Sequence, residues 1–284
     1  MGGLLRVKFS HYLDYSPEGT KRCESALLTI WAVLNDFRDD LVLVGGLVPR
    51  YICKLGNLGL QPATMDVDLG LDLGASSGQY DSISVRLQNE GFEAVKADEL
   101  HQKNRFTKQM QDGSKLILDL LTDKPTPDSP DTVQVENFWA NAFPGIERAL
   151  NVYREIRING QDILGAEAVE TVKVCEIGPF LCLKLNGYTG RAQSKDVFDV
   201  VYSVMNYDKG HQEAARLFHA EAGKNRAYEP ARQILEQRFQ NERSKGPVHY
   251  AEFCTSGRTG ADIDDIHARY LNEAVDVARV LLKL

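Results

Sequence analysis

Hydrophobic and polar residues alternate strictly between Met65 and Leu73. Val67, Leu69, Leu71 and Leu73 fall on one side, and Asp66, Asp68, Gly70 and Asp72 on the other. A period of two is that of a half-buried strand. Upstream, Leu41-Val42-Leu43-Val44 is a continuous apolar run that ends in Gly45-Gly46. It predicts a buried strand followed by a tight turn. Residues 19–36, with Leu27, Leu28, Trp31 and Leu34 on one stripe, predict a helix. Residues 47–55 predict another, with Pro49 in its first turn, where a missing N–H costs nothing. A loop over 56–64 then leads into the aspartate strand. Further on, the pattern predicts a helix over 80–89 and strands over 92–95, 105–110 and 115–121, with Asp112-Gly113 as a turn.

The stretch 122–132, carrying Pro125, Pro127 and Pro130, reads as a linker. Beyond it come strands over 149–158 and 172–177, then helices over 179–188, 195–206, 212–222, 229–241 and 263–284. The predicted class is α+β: a small α/β domain over 1–125 and a mainly helical domain over 126–284.

Composition narrows the picture modestly. The chain has 284 residues, 43% hydrophobic and 26% charged, enough for one large domain or two modest ones. Five scattered cysteines form no Cys-x-x-Cys pair, so neither a zinc site nor a disulfide framework is indicated. The six histidines have no ligand spacing. A net charge of −7 opposes wrapping of duplex nucleic acid while leaving room for a local basic patch. No run approaches the roughly 20 apolar residues of a membrane span, and the first residues lack the apolar core of a signal peptide. A cytoplasmic protein with no membrane partner is expected.

The candidate chemistry is carboxylate chemistry. Asp66 and Asp68, two apart on a strand, lie about 6–7 Å apart along it and face one site. Like charges so placed are unfavourable unless a cation lies between them. Mg²⁺, or Mn²⁺, held by carboxylates while it also binds substrate phosphates, meets that need. The bland alternative is two solvated aspartates. Gly45 and Gly46 let backbone approach a ligand closely, although alone they fit an ordinary strand–helix turn. Asp119 sits in the apolar strand Leu116-Ile117-Leu118-Asp119-Leu120-Leu121, a costly place for an unpaired carboxylate. On a neighbouring strand it could complete a two-metal site or accept a proton from an attacking hydroxyl. Lys184, flanked by apolar residues, calls for an anionic partner such as a triphosphate, or else snorkels to solvent. Ser194 is placed to cap the next helix, with Asp196 near its positive end. Asp199 has no comparable structural role in the sequence.

In order, the pieces are a strand, Gly-Gly, a helix, a Thr64-x-Asp66-x-Asp68 strand, a third Asp on a later strand, a lysine, and a Lys195-Asp196-x-x-Asp199 helix. This order resembles the nucleotidyltransferase superfamily that includes polymerase beta, and more closely the AbiEii/MenT-type nucleotidyltransferases, many of them toxins of toxin–antitoxin pairs. The resemblance covers roughly residues 41–121 and 180–203. It implies a small nucleotidyltransferase mixed sheet flanked by helices, followed by a helical C-terminal domain that contributes Lys184. It implies that Gly45, Gly46 and Thr64 contact the nucleotide. Asp66 and Asp68 would bind metal, and Asp119 would stand in the place of the superfamily's third carboxylate. Lys184 would contact the triphosphate, and Asp199, or its neighbour Asp196, would be the late aspartate. Gly46 departs from the serine common in relatives, the stretch from Gly46 to Asp66 is longer, and no arginine shortly precedes Thr64.

The expected activity is therefore metal-dependent transfer of a nucleoside monophosphate from a nucleoside triphosphate (NTP) to an acceptor, with Mg²⁺ or Mn²⁺ as cofactor. The resemblance puts a tRNA 3′ end or other RNA among the acceptors and a cognate antitoxin among the partners. The other readings are a small-molecule (antibiotic) nucleotidyltransferase and a non-catalytic nucleotide-binding or regulatory module.

Overall fold

The computed structural model describes residues 11–54, 60–73, 81–95, 105–135, 137–191 and 193–283. The expected helix limits at 55, 80 and 284 and the expected loop 56–59 fall outside them. In chain order the elements are α1 (Pro17–Val33), β1 (Leu41–Val44), α2 (Val48–Ile52), β2 (Val67–Leu71), α3 (Asp81–Asn89), β3 (Glu93–Val95), β4 (Arg105–Gln109), β5 (Lys115–Asp123), β6 (Thr132–Val135), β7 (Phe138–Phe143), α4 (Ile146–Asn151), β8 (Tyr153–Gln161) and β9 (Glu167–Cys175). The helices α5 (Ile177–Arg191), α6 (Ser194–Asn206), α7 (His211–His219), α8 (Tyr228–Arg238), α9 (Lys245–Thr255) and α10 (Ile263–Leu282) follow. The chain is α+β, a mixed sheet flanked by helices followed by a helical C-terminal part.

The chain divides into two compact units. One holds residues 17–48 and 63–175, and the other holds 11–16, 49–62 and 176–283. The first contains the sheet, with strand order β3-β4-β5-β2-β1-β9-β8 and the β6–β7 pair joined through β7 to β5. Its centre is apolar because β1 is buried along its whole length and Val67, Leu69 and Leu71 of β2 are fully covered. Helix α1 packs on β8 and β9, and Trp31 Nε1 donates to the Thr171 carbonyl at 2.9 Å.

The boundary expected at 125/126 lies inside this unit. The proline-rich stretch is an excursion within the sheet: Leu121, Thr122 and Asp123 of β5 pair in parallel with Asn141, Ala142 and Phe143 of β7. Strands β6 and β7 and helix α4 follow it without having been anticipated. The strand expected over 149–158 splits, since residues 149–151 belong to α4 and the strand begins at Tyr153.

The second unit is helical. Helix α5 packs on α6, α7 and α8, and α9 packs on α6 and α10. Aromatic rings tie it together: Tyr12 and Phe198 have centroids 5.5 Å apart, and Phe198 and Phe253 5.3 Å. Offset and tilted ring contacts at such distances are favourable beyond their burial. No helix was expected over the residues of α9, where Gly246 and Pro247 lie in the first turn, a place in which proline is tolerated. All five cysteines are reduced and buried, as small apolar residues. Among the described residues no helix is long and apolar enough to cross a membrane.

Candidate active site

The register of the sheet assembles the acidic site. β2 runs antiparallel to β1, which puts Asp68 opposite Val44, and parallel to β5, which puts Asp68 beside Asp119. β4 runs antiparallel to β5, pairing Phe106 with Leu118, so the next step of the ladder puts Arg105 beside Asp119. Cross-strand neighbours project from the same face. Arg105, Asp119 and Asp68 thus form a row across three strands, and Asp66, two residues before Asp68, joins its end. Among the described residues, Asp66, Asp68 and Asp119 each offer one carboxylate oxygen within 4.8 Å of the others.

The glycine turn belongs to this site for a steric reason. Gly45 has φ +73°, and a Cβ there would lie 1.9 Å from Asp68 Oδ2. Backbone and carboxylate approach so closely that only glycine fits. The prediction is direct. Gly45→Ala forces a left-handed alanine, at about 1–2 kcal/mol, and displaces the Asp68 carboxylate. Urea unfolding should show the stability loss and Mn²⁺ titration a weaker site, whereas wild-type behaviour in both would contradict this account of the turn. Gly46 is buried behind Gly45. The helix expected over 47–55 is shorter than the sequence implied: a 3-10 turn over Gly45–Leu47 leads into only five α-helical residues, Val48–Ile52. An element of that length has little dipole to offer a phosphate.

Thr64 is engaged with the site rather than pointing away from it. Its hydroxyl donates to Asp66 Oδ1 at 2.8 Å, and its backbone N–H donates to Thr20 Oγ1 at 3.3 Å. This chain of contacts orients Asp66. The buried Cys23 thiol, which donates to the Thr64 carbonyl, is pushed well above the ordinary thiol range by burial and then by the charges of Asp66 and Asp68.

Arg105 is the residue that sequence reading missed. Its Nε donates to Asp119 Oδ1 at 2.7 Å and its Nη2 to Asp119 Oδ2 at 2.5 Å. The pair is largely shielded, with side chains 11% and 4% exposed. Burial works against the guanidinium's charge, but the hydrogen bonds and charge of Asp119, together with the charges of Asp66 and Asp68, outweigh it and raise its pKa. The desolvation cost that an aspartate incurs in so apolar a strand is therefore met by a bidentate ion pair.

The residues expected from the C-terminal motif form a cluster of their own in the helical unit. Lys184 Nζ on α5 lies 2.7 Å from Asp199 Oδ2 and 3.5 Å from Asp196 Oδ1, both on α6. Lys195 Nζ donates to Asp199 Oδ1 at 2.5 Å. Asp196, Asp199 and Lys195 are buried, and burial lowers the Lys195 pKa against the opposing pull of Asp199. The anion that Lys184 demanded is thus supplied within the protein. Ser194 does not cap α6: it is the first helical residue, and Gln193 holds the cap position without a side-chain bond.

The hard carboxylate oxygens of Asp66 and Asp68, with Asp119 beside them, suit a small divalent cation. All three donors are hard oxygens, and two oxygens across a Mg²⁺ ion lie at most about 4.2 Å apart, twice its usual bond length. The trio's oxygens, all within 4.8 Å of one another, lie close to that span. No other group of three such side chains comes together among the described residues.

No protein-family model matches the sequence, and no curated protein matches it. Five solved chains match in structure. One is an antigenic nucleotidyltransferase-like protein from Paracoccidioides brasiliensis, 18% identical, with 73% of this chain and 90% of that one covered and a TM-score of 0.40. Another is the nucleotidyltransferase toxin MenT4 from Mycobacterium tuberculosis, 15% identical, with 99% of this chain and 91% of that one covered and a TM-score of 0.43. A third is the antibiotic-resistance factor ANT(2'')-Ia, 12% identical, with 73% and 88% covered and a TM-score of 0.31. Likenesses of this size carry no chemistry by themselves, and the functional reading rests on the site's own geometry.

Proposed function

We propose that this chain is a metal-dependent nucleotidyltransferase that moves a nucleoside monophosphate from a nucleoside triphosphate to an acceptor hydroxyl. The observation that carries this reading is the convergence of Asp66, Asp68 and Asp119 within 4.8 Å, beside a turn at which Gly45 lets the backbone approach Asp68. Asp66 and Asp68, the first oriented by Thr64 and the second packed on Gly45, would hold the divalent cation. When bound, such an ion supplies Lewis-acid neutralisation of phosphate charge. On the strength of the motif order, Gly45 and Gly46 are kept as main-chain contacts to the nucleotide phosphates. In the reaction, the acceptor oxygen bonds to the α-phosphorus, the bond between the α-phosphorus and its bridging oxygen breaks, and pyrophosphate leaves. The acceptor's proton passes to a carboxylate of the row or to water.

On the strength of their order in the chain, we keep Lys184 and Asp199 as nucleotide contacts. That role requires Lys184 to exchange a carboxylate for a phosphate. The acceptor we favour is RNA, with a tRNA 3′ end first among candidates, and a toxin role with a cognate antitoxin follows from the same resemblance. The test is incubation of the purified protein with Mg²⁺, total cellular RNA and each of the four α-labelled nucleoside triphosphates in turn. Labelled RNA with at least one of them supports the reading. A preparation that labels protein or a small molecule but never RNA would retain the transferase and reject the RNA acceptor.

A further inference from the structure

Resting on the transferase reading, the geometry points to a site built for one divalent cation, in which the Arg105 guanidinium stands permanently where a second cation would otherwise be needed and holds Asp119 outside the metal's ligand shell. Three observations lead there. First, both oxygens of Asp119 face Arg105 in a fork, at 2.7 and 2.5 Å, the bidentate arrangement that is hardest to displace. A metal ion claiming Asp119 directly would have to compete with it.

Second, the pair is fixed by the fold rather than by a mobile surface contact. Arg105 and Asp119 sit on adjacent hydrogen-bonded strands, β4 and β5, and both side chains are nearly covered. Third, the charges balance. Among these four described groups, three carboxylates and one guanidinium leave two negative charges, which one divalent cation neutralises. A second would leave the metal-bound row net positive while still confronting the guanidinium. Arg105 also feels Asp66 and Asp68, whose charges help to keep it ionised. It is thus a positioning residue: it acts on the cation site through Asp119, and it sets how many ions the acidic row takes.

The test counts metal ions rather than turnover. Full-length protein without nucleotide is titrated with Mn²⁺, and the unbound ion is followed by its electron paramagnetic resonance signal. Wild type should saturate at one Mn²⁺ per chain. Arg105→Gln, which removes the fixed charge and releases Asp119, should saturate at two. Asp119→Asn should still bind one Mn²⁺, more weakly, because one negative charge is lost while Arg105 keeps its own. Wild type that takes two ions, or none, overturns the proposal. So does a folded Arg105→Gln variant that takes only one, or an Asp119→Asn variant that loses the ion. Should Arg105→Gln fail to fold, the wild-type and Asp119→Asn counts still decide. Failure of the transferase reading is separately visible: one bound Mn²⁺ with no transfer to any acceptor defeats that reading, and two bound ions with intact transfer defeat this one.

Discussion

Replacing Asp66 or Asp68 by alanine should abolish nucleotidyl transfer while leaving the protein folded. Each is one of two carboxylates proposed to hold the cation, and a lost ligand in metal-assisted transfer removes several kcal/mol of transition-state stabilisation, roughly a thousandfold or more in rate. The fold should not suffer. Neither residue is part of the apolar core, and deleting one of three clustered carboxylates, whose oxygens lie within 4.8 Å of one another, relieves repulsion in the metal-free protein. Thermal unfolding without metal should therefore show an unchanged or higher midpoint, and Mn²⁺ should no longer raise it. A variant that keeps near-full activity would remove both aspartates from the metal site.

The largest stability effect should come from Asp199→Asn in the helical unit. Asp199 is buried and meets two lysines at once, Lys184 at 2.7 Å and Lys195 at 2.5 Å. Loss of its charge strands Lys195 in the interior and leaves Lys184 with Asp196 at 3.5 Å. Breaking a buried ion pair from one side costs about 3–5 kcal/mol, because an uncompensated charge remains. Urea unfolding should show a much lower midpoint. Unaltered stability combined with weakened nucleotide affinity would instead make Asp199 a ligand contact with no structural role. Lys184→Ala offers the complementary comparison. It leaves Asp199 paired with Lys195, so its stability effect should be the smaller of the two, and any loss of triphosphate affinity reports on Lys184 itself.

How much of this was legible in the sequence depends on what each residue needs. Asp66 and Asp68 declared themselves because a strand's period of two puts them on one face. Asp119 did so because a carboxylate among leucines and isoleucines must be satisfied by something. The register that unites them, Asp68 beside Asp119 on parallel strands, required only that those strands be neighbours.

Arg105 was invisible for the opposite reason. In Gln102-Lys103-Asn104-Arg105 it looks like one more polar residue at a strand edge, and only the antiparallel pairing of β4 on β5 turns it toward Asp119. Thr64 was visible as part of the motif, but its bond to Asp66 is a matter of rotamers, which no spacing reveals. For Lys184 the sequence left open an anionic partner or a snorkelling side chain. The resemblance pointed to a phosphate, whereas the packing of α5 on α6 provides two aspartates. The sheet's second half was the least legible part. Strand β8 is largely exposed, and the first half of β9 alternates only between exposed and half-buried positions, so neither shows the sharp alternation of a half-buried strand. The three prolines before β6 imitate a linker, although the chain returns to the same sheet.

The central claim is that the acidic row cleaves a triphosphate between its α and β phosphorus atoms and keeps the nucleoside monophosphate on an acceptor. Parallel reactions with α-labelled and γ-labelled triphosphate test this most directly, with Mg²⁺ present or chelated and with Asp68→Asn as control. The account predicts α label in the acceptor, γ label released as pyrophosphate in equal amount, and neither with chelator or in the variant. Label transferred from the γ position, or transfer that survives both chelation and Asp68→Asn, would contradict it.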